Sequence, residues 1–122
     1  MKLQFLEGKF SVCKVADFEG VDLARPFCFA AGTDLERSLV CPTERAPENC
    51  VAREDGWRGF RFMGTLEFSL VGILARVSAL LAERQIGIFA VSTYDTDYIF
   101  LKERDEPAAR RALTDGGYEI LD

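Results

Sequence analysis

The chain has 122 residues, enough for one ordinary domain or two very small ones, and 48% hydrophobic with 29% charged content marks a folded chain, not a disordered one. Its 15 basic and 20 acidic residues give a net charge of −5, divided as 7 and 10 over residues 1–55 and 8 and 10 over 56–122, so neither half carries the basic footprint that a nucleic-acid backbone requires. No apolar run of about 18 residues suggests a membrane span, and residues 1–5 show no secretory leader. A cytoplasmic protein with neither nucleic acid nor membrane as partner is expected.

In chain order, residues 2–6 and 10–15 alternate as strands joined at Glu7-Gly8-Lys9. Residues 25–30 and 38–41 suggest two more, with single helical turns at 21–24 and 33–37. Residues 42–55, carrying Pro42, Pro47 and a dense charge cluster, suggest a linker. Residues 57–63 form a half-buried strand, and 71–84 follow with Ile73, Leu74, Val77, Leu80 and Leu81 on one helical face. That helix is expected to end at Gly87, as a left-handed cap. Residues 88–94 and 98–102 make a hairpin about Asp95-Thr96-Asp97. Asp105 is placed to cap a second helix with Pro107 in its first turn and Ala109, Ala112 and Leu113 inside. Gly116-Gly117 ends it before a last strand at 118–121.

The second half therefore has the order βαββαβ, two helices on one face of an antiparallel sheet, the ferredoxin-like arrangement. The expected fold is α+β: residues 56–122 form one such unit, and residues 1–55 a shortened, helix-poor version of it. Each sheet has a bare face and unpaired edges, which favours a homodimer.

Cys13, Cys28, Cys41 and Cys50 lie 15, 13 and 9 residues apart without a CxxC pair, and histidine is absent. A zinc site could only be all-cysteine, with spacing that no common module uses; the cysteines are expected as structural thiols. Without histidine the commonest general base and every Ser-His or Cys-His pair are missing. No metal, cofactor or catalytic residue is expected.

Ser69, Leu70, Val71 and Gly72 stand at the start of the first expected helix. Its unpaired amides and partial positive charge suit a carboxylate, and Gly72 lets a ligand approach the backbone closely. The plainer alternative is a simple hydroxyl cap by Ser69. The cluster Thr93-Tyr94-Asp95-Thr96-Asp97 is either an ordinary turn or a place where a carboxylate receives a cation; Asp95 and Asp97 lack the acidic surround that Mg²⁺ or Ca²⁺ needs. In a βαββαβ unit the strand after the first helix runs back toward that helix's N-terminus. Seven strand residues span about 23 Å and fourteen helical ones about 21 Å, so the two features should lie level, donors for an anion beside carboxylates for a cation. That suits a zwitterion.

The stretches Trp57-Arg58-Gly59-Phe60-Arg61, Leu66-Glu67-Phe68-Ser69-Leu70-Val71-Gly72-Ile73-Leu74 and above all Phe89-Ala90-Val91-Ser92-Thr93-Tyr94-Asp95-Thr96-Asp97-Tyr98 resemble ACT-domain proteins. The likeness is strongest to small bacterial tandem ACT proteins and, through them, to the cytosolic arginine sensors. Pro26-Phe27-Cys28-Phe29 and Ser38-Leu39-Val40-Cys41-Pro42-Thr43-Glu44-Arg45 resemble the family's first ACT unit. The resemblance implies a non-catalytic module that binds a free amino acid at an ACT–ACT or dimer interface. Ser69, Leu70, Val71 and Gly72 would take the carboxylate side, and Thr93, Tyr94 and Asp97 match ligand-contacting positions. The arginine sensors use two such pairs in one chain and this chain has one, so a complete site would need a dimer. The alternative is a ligand-free oligomerisation or protein-interaction module.

Overall fold

The computed structural model describes residues 1–63 and 72–122. Strands β1 (Lys2–Phe5), β2 (Phe10–Val15), β3 (Phe29–Gly32), β4 (Arg37–Pro42) and β5 (Cys50–Phe62) precede helix α1 (Ile73–Ala82). Strands β6 (Ile88–Ser92) and β7 (Asp97–Lys102), helix α2 (Glu106–Asp115) and strand β8 (Glu119–Leu121) follow. The fold is thus α+β, dominated by sheet, with two α-helices among the described residues. Two compact units form: Met1–Glu7 with Arg58–Asp122, and Gly8–Trp57.

In the first, two-helix unit the strands lie in the order β6-β7-β5-β1-β8. Strand β1 is antiparallel to β5, with Leu3 opposite Phe62, and parallel to β8, with Leu3 opposite Ile120. The division expected at residue 55 put β1 with the N-terminal half; here it joins the sheet of the C-terminal segment. The cause is its alternation. Leu3 and Phe5 point inward and are buried, in one core with Phe60, Phe62, Ile99, Leu101 and the inner faces of α1 and α2. The β1 backbone is paired on both sides, so neither β5 nor β8 presents an open edge there. Val77 and Leu81 are buried on α1, and Ala109, Ala112 and Leu113 on α2, the faces expected from periodicity.

The helix ends differ in detail from expectation. After α1 the left-handed residue is Gln85, at φ 59°, not Gly87. The Ile86 amide donates to Leu81 O at 3.0 Å and the Gln85 amide to Ala82 O at 2.9 Å, a Schellman closure in which Ile86 and Leu81 are both buried. Helix α2 closes the same way with Gly117 at φ 97°. Asp105 occupies the position before α2 but makes no side-chain cap, because a 3-10 turn at Glu103–Asp105 leads straight into the helix.

In the second, helix-poor unit the order is β3-β4-β2-β5, all antiparallel. It has no α-helix, only a 3-10 turn at Thr43–Arg45. The helical turns expected at 21–24 and 33–37 are instead non-helical turns; the second is a hairpin in which the Thr33 amide donates to Glu36 O at 2.9 Å. The expected linker is also corrected: β5 begins at Cys50. Its charged residues Arg53, Glu54 and Asp55 stay exposed while their backbone pairs with β2. Ladder bonds rather than burial make this segment a strand, so apolar patterning missed it. All four cysteines are free thiols, gathered in one small core with Val15 and Leu39.

The two hairpins repeat at an offset of sixty residues. Phe29 faces Val40 and Gly32 faces Arg37, as Phe89 faces Phe100 and Ser92 faces Asp97. The Thr93 amide donates to Thr96 O at 2.9 Å, the same bond as at Thr33.

Candidate functional site

Gly72 immediately precedes α1 with φ 81°. Among the described residues nothing lies within 4 Å of where a Cβ would stand, and the left-handed backbone calls for glycine. The first helical bond runs from the Arg76 amide to Gly72 O at 2.9 Å, and among the described residues no side chain caps the helix. The amides of Ile73, Leu74 and Ala75 therefore lack intrahelical acceptors.

This helix start opens into a cavity of about 350 Å³ lined by Met1, Gly72, Ile73, Arg76, Gly116 and Tyr118 among others. The Arg76 guanidinium donates from Nη2 to Gly116 O at 2.6 Å, at the end of α2, and lies 5.6 Å from the Tyr118 ring centroid. One bond fixes it; a guanidinium has five donors. Amide dipoles and a guanidinium of like sign border one cavity, which suits an anion, and a carboxylate matches the fork of Arg76. Of the residues expected at the carboxylate side, Gly72 lines this cavity, while Ser69, Leu70 and Val71 lie outside the described residues. Arg76 and Tyr118 were not expected. The spacing of Arg76, one turn after Gly72, could have signalled it.

Thr93 and Tyr94 are exposed in the turn between β6 and β7. Thr93 donates its hydroxyl to Thr96 O at 3.1 Å, and Tyr94 is 82% exposed. Asp97 opens β7 and accepts the Ser92 hydroxyl at 2.5 Å across the hairpin. Thr96 donates to Phe62 O at 3.0 Å, which ties the turn to the end of β5. Thr93, Tyr94 and Asp97 do not line the cavity at Gly72.

Among the described residues no group of three or more cysteine, aspartate or glutamate side chains could hold a metal ion. No described helix is long and apolar enough to cross a membrane.

No curated protein matches the sequence. Among solved structures, an X-ray structure of a protein from Agobacterium tumefaciens is 30% identical, with a TM-score of 0.85 over 98% of this chain and 91% of that one. A Vibrio cholerae protein of unknown function, described as a possible transport protein, is 20% identical, with a TM-score of 0.71 over 92% and 86%. The ligand-free regulatory subunit of aspartate kinase from Thermus thermophilus shares the fold at 9% identity, with a TM-score of 0.66 over 94% and 96%. A family model of the ACT domain matches residues 52–115. With that model spanning more than half of its length, the chain belongs to the ACT-domain family.

Proposed function

We propose that the protein is a non-catalytic regulatory module that binds a free amino acid, in the cytoplasm, as a homodimer whose second copy completes the site. The observation that carries this reading is the start of α1 opening at Gly72 into a cavity shared with Arg76 and Tyr118. The carboxylate would be held by the α1 amides and Arg76, with Ser69, Leu70, Val71 and Gly72 proposed on the same carboxylate side. Thr93, Tyr94 and Asp97 would receive the ammonium side. Element lengths support the pairing: ten helical residues span about 15 Å and five strand residues about 17 Å. The end of β6 can thus come level with the start of α1.

The sheet order of the helix-poor unit and the sixty-residue repeat of its hairpin support reading Gly8–Trp57 as a degenerate ACT unit. The likeness to a regulatory subunit of aspartate kinase supports a regulatory role. Two or three charge-assisted bonds at the carboxylate and one or two at the ammonium, each contributing about 1.5–3 kcal/mol, would support a micromolar Kd, about −8 kcal/mol.

The test is calorimetry of the full chain against the twenty free amino acids, then against the carboxamide of any that binds. One amino acid should bind, its amide should not, and Arg76→Gln and Asp97→Ala should each weaken binding roughly tenfold or more. Absence of heat with all twenty, or equal binding of the amide, overturns the reading in favour of a ligand-free interaction module.

A further inference from the structure

The helix-poor unit holds a second cavity, of about 230 Å³, with Val21, Leu39 and Pro47 in its wall and Arg25, Arg45 and Asp22 beside them. It lies where that unit lacks helices. Sixty residues after Leu39 and Cys41 stand Ile99 and Leu101, buried in the core with α1 and α2. Phe18, Val21, Cys28 and Ala46, carried on turns and the Thr43–Arg45 3-10 turn, pack against the cluster that holds Leu39, and the cavity opens beside them.

The charges around this cavity are unbalanced. Arg45 is half-buried, and its Nη2 donates to Pro26 O at 2.5 Å. That bond fixes the guanidinium and leaves its other donors available. The Arg25 side chain makes no hydrogen bond or ion pair among the described residues. Asp22 is turned to its own loop, accepting the Ala24 amide at 2.9 Å. Two guanidiniums therefore face one carboxylate that is already engaged, above an apolar wall. Cys28 also lines the cavity, within electrostatic reach of both Arg45 and Asp22.

We infer that this cavity is a separate binding site for a small organic carboxylate, its charge held between Arg45 and Arg25 and its compact apolar body against Val21, Leu39 and Pro47. Ligand pockets pair an apolar lining with a few convergent polar groups, and at about 230 Å³ this one is small, so only a short body fits it. A planar guanidinium recognises a carboxylate with two parallel bonds, which an uncharged amide cannot reproduce. The site is independent of the cavity at Gly72.

The experiment uses the full chain, with pentanoate and its uncharged isostere pentanamide as probes. Methyl NMR follows Val21 and Leu39, and mass spectrometry follows iodoacetamide labelling of Cys28. Pentanoate should shift both methyls saturably and slow Cys28 labelling, and pentanamide should do neither. Arg45→Met should weaken pentanoate roughly ten- to hundredfold and Arg45→Lys less. Should Arg45→Met fail to fold, Arg25→Gln on the exposed side of the cavity carries the test, with a loss of about fivefold or more. Equal effects of pentanoate and pentanamide, unmoved methyls, or parental binding by Arg25→Gln overturns the inference.

Discussion

Replacing Gly59 by alanine sets two general rules against each other, and the structure decides the sign. Glycine inside a strand is about 0.5–1 kcal/mol worse than alanine, so propensity alone says Gly59→Ala stabilises. A Cβ on Gly59 would stand 2.7 Å from Phe100 Cε1 and 3.0 Å from its Cδ1. The ring has nowhere to go. Phe100 is 0% exposed and stacks on Phe89 with centroids 4.9 Å apart and planes 15° from parallel. Nor can β5 easily step away, because Gly59 O accepts the Leu6 amide at 2.8 Å. Overpacking of this kind costs about 1–3 kcal/mol, which leaves a net loss of up to about 2.5 kcal/mol after the propensity gain. Urea denaturation should show a lower midpoint at unchanged slope, and thermal unfolding a drop of about 3–5 °C per kcal/mol. In a Phe100→Leu background, where the clashing ring atoms are gone, the same substitution should be neutral or stabilising, a coupling of at least about 1 kcal/mol. A stabilised Gly59→Ala in the parent chain, or an equal loss in both backgrounds, refutes the reasoning.

Gln85 carries the left-handed turn after α1 at φ 59°, a conformation costing an L residue about 1–2 kcal/mol. Gln85→Gly should therefore stabilise by up to about 1 kcal/mol, read as a raised urea midpoint. Burial pushes the Cys13 thiol up to about 12, helped by its neighbour Cys50, and pushes Cys41 up to about 11. The unfolded thiol ionises near 9.0, so above that pH the unfolded state releases protons that the folded state keeps. Stability should be level with respect to these groups below pH 9 and fall as pH rises toward about 12. Denaturant titrations across that range should show the fall, and the double variant Cys13→Ala with Cys41→Ala should flatten it; a parental slope in that variant would refute the assignment.

Much of the two-helix unit was legible because its elements bury apolar side chains at a fixed period. Val77 and Leu81 on α1, and Ala109 and Leu113 on α2, lie where the 3.6-residue pattern put them. The Thr93–Thr96 turn was legible from its polar, turn-favouring residues. Gly72 was singled out for the close approach it would allow a ligand, whereas its φ of 81° gives a backbone reason for glycine that the local sequence did not announce. Arg76 was marked only by its spacing, one turn after Gly72, and Tyr118 not at all, because it reaches the helix start from beyond α2, a meeting that no local pattern encodes.

The sequence by itself determined which residues face inward, since apolar burial depends on side-chain chemistry and local period. Beyond the β6–β7 hairpin, only the tertiary structure decided which strand pairs with which. Backbone ladder bonds are the same for every residue type, so nothing in Lys2–Phe5 announces that it will lie between β5 and β8. Nothing in Arg53-Glu54-Asp55 announces a strand until β2 supplies its partners. The same indifference hid the cavity beside Leu39: a missing helix leaves no residue to read, and its effect is visible only where the surrounding elements fail to fill the space.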